Sequence, residues 1–123
     1  MLDLKLTVIG NDHGTLDGVQ EYFLRAGARV RTTGLIEEAG AAAADADVVI
    51  LFADHYPRQL ALQTATELGV QTLIIVTAEV GFFNVSRTAP CVASRIFVLR
   101  SPVWGWMLLD AVRSGRGTSA GES

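Results

Sequence analysis

Two Asp-His pairs are the most reactive combination in this chain: Asp12-His13 in the segment VIGNDHGT and Asp54-His55 in LFADHYP. A carboxylate beside an imidazole can hold a divalent cation or work as a general acid-base pair. Each pair follows an apolar, β-branched run, and in an open α/β sheet ligands bind beyond the carboxyl ends of the strands, where the strand order reverses. Neighbouring strands at that reversal could bring Asp12, His13, Asp54 and His55 within roughly one side-chain length of each other. The same residues also suit helix caps, a common duty of polar residues at strand ends. A small enzyme using His13 or His55 as general base would need a nucleophile beside it. Ser86 and Ser94 lie in a segment of unclear period, and Cys91 follows Pro90 with no adjacent cation to lower its pKa, which fits a packed thiol.

The elements that must position these residues can be read from periodicity. Apolar runs at residues 4–9, 48–52, 73–77 and 96–99, with a weaker one at 28–32, are predicted strands buried on both faces of a parallel sheet. Between them, Leu16, Val19, Phe23 and Ala26 share one helical face, with Gly27 as the stop. Residues 35–46 form an Ala-rich helix with Glu37 and Glu38 in its first turn. Residues 58–68 place Leu60, Ala61, Thr64, Ala65 and Leu68 on one face, closed by Gly69. Residues 80–94 contain Gly81, Asn84 and Pro90 and allow only a short or irregular helix. Ser101 as N-cap and Pro102 at the first position open a last helix through residues 103–112. Five β-α units with right-handed crossovers make a three-layer α/β/α fold, flavodoxin-like, with a five-stranded parallel sheet of order 2-1-3-4-5. Residues 1–114 are the domain, and residues 115–123 form a tail expected to be disordered.

Composition excludes several function classes. At 123 residues and 13.1 kDa the chain has room for one domain. Half of it is hydrophobic and 19% is charged, which excludes intrinsic disorder. A net charge of -3 and a pI near 5.2 supply no basic field for nucleic acid. One cysteine and two histidines are too few for a Cys/His structural zinc site, and a reducing cytoplasm is the expected compartment. The opening MLDLKLTVIG lacks the layout of a signal peptide, and the most apolar stretch is interrupted by Asp45 and Asp47, so neither export nor a membrane span is expected.

Over residues 5–113 the arrangement resembles the receiver domain of two-component response regulators, especially the single-domain, chemotaxis-type members. In that family strand one ends in an acidic pair, with a Gly about sixteen residues later. Here Gly10 and Asn11 hold the pair's positions and Gly27 lies at the matching distance. The phosphoacceptor Asp, four residues before a Pro, falls on Ala53 with Pro57. Thr77 and Ala78 keep the Thr-Ala after strand four, while Ser101 and Pro102 stand where the family has Lys-Pro. Val98 takes the position of the switch aromatic, with Phe97 beside it.

The resemblance implies a degenerate, stand-alone receiver, a pseudo-receiver, that lacks the phosphoacceptor and signals by binding another protein. Its degenerate phosphorylation pocket comprises Gly10, Asn11, Asp12, Ala53, Asp54, Thr77 and Ser101. Such a module is not an enzyme and needs no cofactor, with magnesium held only if Asp12 and Asp54 converge. A register slipped by one residue would make Asp54 the acceptor and Asp12 the metal ligand, but one step along a strand turns a side chain to the other face.

The rival reading is a truncated Rossmann-like nucleotide-binding domain. The fingerprint G-x-G-x-x-G reads Gly10, Asp12 and Thr15 here, which sets a carboxylate against the phosphates, although Arg31 could receive a 2′-phosphate. Aromatic residues favour protein binding. Phe82, Phe83, Phe97, Trp104 and Trp106 cluster in the fourth and fifth units, and two Trp spaced by two on a helix point about 200° apart. One Trp should therefore lie outside the core, anchoring a homodimer through those units, the face that resembling receivers commonly use.

Overall fold

A computed structural model of the chain describes residues 4–86, 95–101, 103 and 105–116. Five strands, β1 Lys5–Ile9, β2 Arg29–Thr33, β3 Val48–Phe52, β4 Thr72–Thr77 and β5 Arg95–Arg100, form one parallel sheet of order β2-β1-β3-β4-β5. This is the flavodoxin-like order expected. Of the three inner strands β3 is apolar throughout, while β1 carries Lys5 and Thr7 and β4 begins and ends in Thr72 and Thr77; the apolar residues of all three alternate between two helix-covered faces. Leu6, Val8, Ile50, Ile74 and Val76 point to one side and pack with Phe23, Leu108 and Val112. Ile9, Val49, Leu51, Leu73 and Ile75 point to the other and pack with Ala61, Ala65 and Phe83.

The first helix, α1 His13–Arg25, follows its sequence rules closely. Leu16 and Phe23 are buried, and the end is a Schellman closure in which Gly27 (φ 96°) donates to Leu24 O and Ala28 N donates to Phe23 O, both at 3.0 Å. Ala26 is the C-cap rather than part of the buried stripe.

The second helix departs from expectation. Instead of a helix over residues 35–46, a 3₁₀ turn at Ile36–Glu38 leads into a four-residue α2, Ala39–Ala42. Gly40 weakens the middle of this segment, its alanines bring only methyl groups to the core, and Asp45 stands where a carboxylate opposes the helix dipole. The helix α3, Arg58–Glu67, buries Ala61 and Ala65, but Leu60, expected on the inner face, is 37% exposed because little of α2 lies beside it. Leu68 ends α3 in an extended conformation, so closure does not depend on Gly69.

The fourth helix is short, as expected: α4 Val80–Ser86. The last, α5 Gly105–Arg116, begins four residues after Ser101, which is therefore not its N-cap. At its first residue, Gly105, the Tyr22 ring lies close against the backbone: a Cβ there would stand 2.8 Å from Tyr22 Cγ. Residues 115 and 116 belong to α5 rather than to the expected tail. Pro102, Trp104, Cys91, Ser94 and residues 117–123 lie outside the described residues. Among the described residues no helix is long and apolar enough to cross a membrane.

Candidate functional site

At the carboxyl ends of β1, β3 and β4 the two Asp-His pairs part company. Asp12 caps α1: its Oδ2 accepts from Thr15 N at 2.9 Å and Thr15 Oγ1 at 2.6 Å. These two bonds hold its carboxyl below the usual carboxylate range, with smaller help from the charges of His55 and His13. Asp54 turns the other way. Its Oδ1 accepts from Thr77 Oγ1 at 2.6 Å and its Oδ2 from Ala78 N at 2.7 Å. The two carboxylates are thus engaged with different partners, and no group of three or more His, Cys, Asp or Glu among the described residues is arranged to hold a metal. The joint metal site expected of Asp12, His13, Asp54 and His55 is therefore not formed: both imidazoles act on Asp12 by charge, while Asp54 is turned to β4.

The turn of Asp54 has a local cause. The strand β3 stops at Phe52, and a 3₁₀ turn at Ala53–His55 replaces the period of two, so Ala53 tucks its methyl into the core at 1% exposure while Asp54 swings outward to β4. Thr77 is fully buried and its hydroxyl works twice, donating to Asp54 and accepting Glu79 N at 2.9 Å. Glu79 in turn pairs with Arg58 Nη1 at 2.7 Å, and the Arg58 guanidinium lies 4.8 Å from the centre of the Phe82 ring. Arg100 Nη1 donates to Ala78 O at 3.2 Å, and Ser101 N to Thr77 O at 3.0 Å. The β4–α4 connection is therefore fastened from three sides. Of this cluster, Arg58, Glu79 and Arg100 carried no sequence signal, since each bond spans more than twenty residues.

His55 occupies the space over the end of β1. Its ring stacks on Phe52 with 14° between planes and centroids 5.4 Å apart, and its Nδ1 accepts Asn11 N at 2.8 Å. Gly10 makes this approach feasible: a Cβ there would stand 3.0 Å from His55 Nδ1 and 3.3 Å from Phe52 Cδ2. The position that the resemblance gives to an acidic residue is thus filled by a neighbour's imidazole. His55 is bonded to backbone rather than to Asp12 or Asp54, so neither Asp-His pair forms an acid-base dyad through it. Next to it, Tyr56 donates to Gly34 O at 2.8 Å, and burial pushes its phenol above the ordinary value, with the Glu37 charge adding to the shift.

The aromatic residues separate into core and surface. Phe83 is 2% exposed and belongs to the core, which removes it from the expected interface. It meets Phe82 edge-to-face with centroids 5.1 Å apart, and Phe82 is half-buried. Phe97 is half-buried against the α1/α5 side of the core, and Val98 faces the other side. Trp106 is 63% exposed on α5; Trp104 lies outside the described residues. Arg31, weighed as a phosphate ligand, lies in mid-strand, bonded to Ala42 O at 3.4 Å and away from the strand ends.

No protein-family model matches the chain, and no curated protein matches it in sequence. Solved structures do. The chemotaxis response regulator CheY4 of Vibrio cholerae is similar with a TM-score of 0.67 and 17% identity, covering 90% of this chain and 97% of its own. The non-phosphorylated HemR receiver domain from Leptospira biflexa gives a TM-score of 0.67 at 16% identity, covering 98% of this chain and all of its own. With the sheet order and helix placement above, these likenesses establish that the chain has the fold of response-regulator receiver domains.

Proposed function

We propose that this chain is a receiver-type signalling module whose output is protein binding, set without transfer of a phosphoryl group. One observation carries the reading: the Asp54 carboxylate already takes both the Thr77 hydroxyl and the Ala78 N–H. An anion arriving at this strand end would need those donors, and they are spent on an anion the chain supplies itself. At the position that the resemblance gives to the acceptor stands the buried methyl of Ala53, which is no nucleophile. Gly10 and Asn11 bring no acid for magnesium, and Asp12 caps α1. On this reading the module is a pseudo-receiver, not an enzyme, needs no cofactor and acts in the cytoplasm.

Its binding surface is the one built by the fourth and fifth units. Trp106 stands exposed on α5, and Phe82 and Phe97, both half-buried, belong to the same two units. An exposed Trp is among the strongest interface anchors, and an isologous homodimer is the commonest way to cover one.

Two measurements test this. After incubation with acetyl phosphate and magnesium, intact mass measured in the cold is expected to show no phosphoryl adduct; an adduct abolished by Asp54→Asn would overturn the reading and make Asp54 the acceptor. Sedimentation is expected to show a dimer that Trp106→Ala shifts toward monomer by about 2 kcal/mol while remaining folded. Wild type that stays monomeric at every accessible concentration would remove the homodimer and leave Trp106 to a different protein.

A further inference from the structure

The opposite end of the sheet carries a charge arrangement that a role at the strand tips does not use. Lys5 and Arg29 are register partners on β1 and β2, as are Thr7 and Arg31, so all four share one face. It is the α2 face, because the Thr7 hydroxyl donates to Ala42 O at 2.9 Å and Arg31 reaches the same carbonyl. An inner face of a parallel sheet is normally covered by a helix and apolar. Here α2 stops at Ala42, and the uncovered corner is a cavity of about 280 Å³ lined by Lys5, Thr7, Arg29, Arg31 and Asp45 among others.

Like charges directly across adjacent strands cost stability, and this chain sets Lys5 against Arg29 although its net charge is -3. Compensation is thin. Asp45 lies 3.7 Å from Lys5 Nζ and 3.9 Å from Arg31 Nη1, well beyond the ~2.7 to 2.9 Å of a charge-assisted hydrogen bond. Arg29 has no ion pair among the described residues. Asp47, the other acid of this corner, has its carboxylate on the Lys5 backbone N–H at 2.9 Å.

We propose that this corner binds a phosphate chain, the di- or triphosphate group of a small molecule. Two guanidinium forks and an ammonium match several anionic oxygens at once, and Ala42 O already positions the Arg31 fork. The cavity lies just under the ~300 Å³ at which small-molecule sites begin, which suits a phosphate chain with any attached group left outside. The site lies away from Asp54 and Trp106 and stands or falls independently of the signalling role.

Calorimetry on the full chain at low salt, with inorganic tripolyphosphate as probe and ATP and GTP as parallel arms, decides it. Saturable binding is expected, weakened about tenfold or more by Arg29→Ala and by Arg31→Ala. Asp45→Asn should tighten binding, since it removes the competing carboxylate; a general loss of fold could not produce that gain. Equal affinity for all three probes assigns recognition to the chain of phosphates, and tighter binding of one nucleotide adds contacts to its base. No saturable heat with any probe, binding unchanged in both Arg variants, or displacement by sulfate as effective as by tripolyphosphate at matched ionic strength would overturn the site.

Discussion

Replacing Asp54 by alanine should loosen the end of β4, and the size of the effect follows from what is left behind. Thr77 is fully buried, so its hydroxyl cannot turn to water once its acceptor is gone. An unmet buried donor costs roughly 1 to 3 kcal/mol, whereas Ala78 N is exposed and exchanges its 2.7 Å bond for one to water at about 0.5 kcal/mol. The expected loss is about 2 kcal/mol. Urea unfolding followed by circular dichroism, with a slope of roughly 2 kcal/mol per molar, should show the midpoint falling by about 1 M. Thr77→Val removes the same bond from the other side, so the two losses should not add. In a double-mutant cycle, Asp54→Ala made on top of Thr77→Val should cost only the Ala78 share, a coupling of about 1 to 1.5 kcal/mol. A coupling below about 0.5 kcal/mol would mean that the carboxylate does not hold Thr77, and the case for a self-supplied anion would fall with it.

Gly10→Ala should destabilise by about 1 to 3 kcal/mol, because its Cβ would press on His55, Leu16 and Phe52 at 3.0 to 3.3 Å; in a His55→Ala background, which removes the tightest of the three contacts, the same substitution should cost less in thermal melting. Gly105→Ala sets a Cβ 2.8 Å from Tyr22 Cγ and Cδ1, and its penalty should largely vanish in a Tyr22→Ala background. Tyr56 has a folded pKa raised above its ordinary 10.0, so its contribution is complete below that value and lost as pH rises through the higher folded one. Tyr56→Phe should therefore flatten the alkaline fall in stability. Asp12 has the opposite sign: its lowered pKa gives a contribution present above 3.8 and lost as pH falls through the folded value, so Asp12→Asn should reduce the acid slope.

The sheet was legible because burial on two faces leaves a mark in composition. The central strand Val48–Phe52 coincides with its apolar run, since every one of its residues is buried. At the edge the mark fades: β5 takes in Arg95 and Arg100, which are exposed and interrupt the apolar pattern although their backbones pair with Thr72 and Thr77 of β4. Helix ends were readable where a local bond makes them, as with the Schellman closure at Gly27. The second helix misled because alanine favours helix in isolation but brings little surface to bury, and α2 persists only where Ala39 and Ala43 touch the sheet.

The strand-end site was legible by residue type and opaque in its pairing, for a reason that one turn makes plain. A period of two carried past Phe52 would put Asp54 on the face opposite Ala53 and leave its partner undetermined. The 3₁₀ turn at Ala53–His55 breaks that period, and the carboxylate then meets Thr77 across 23 residues of sequence while the next imidazole meets Asn11 across 44. No local rule encodes either contact, because each exists only once β3 is flanked by β1 and β4. What the sequence does record is the room they require: Gly10, with no Cβ, at the one place His55 must enter. Gly10 and His55 are therefore coupled, as are Ala53 and Asp54: Gly10 leaves room for the imidazole, and Ala53 fills the core while Asp54 reaches β4.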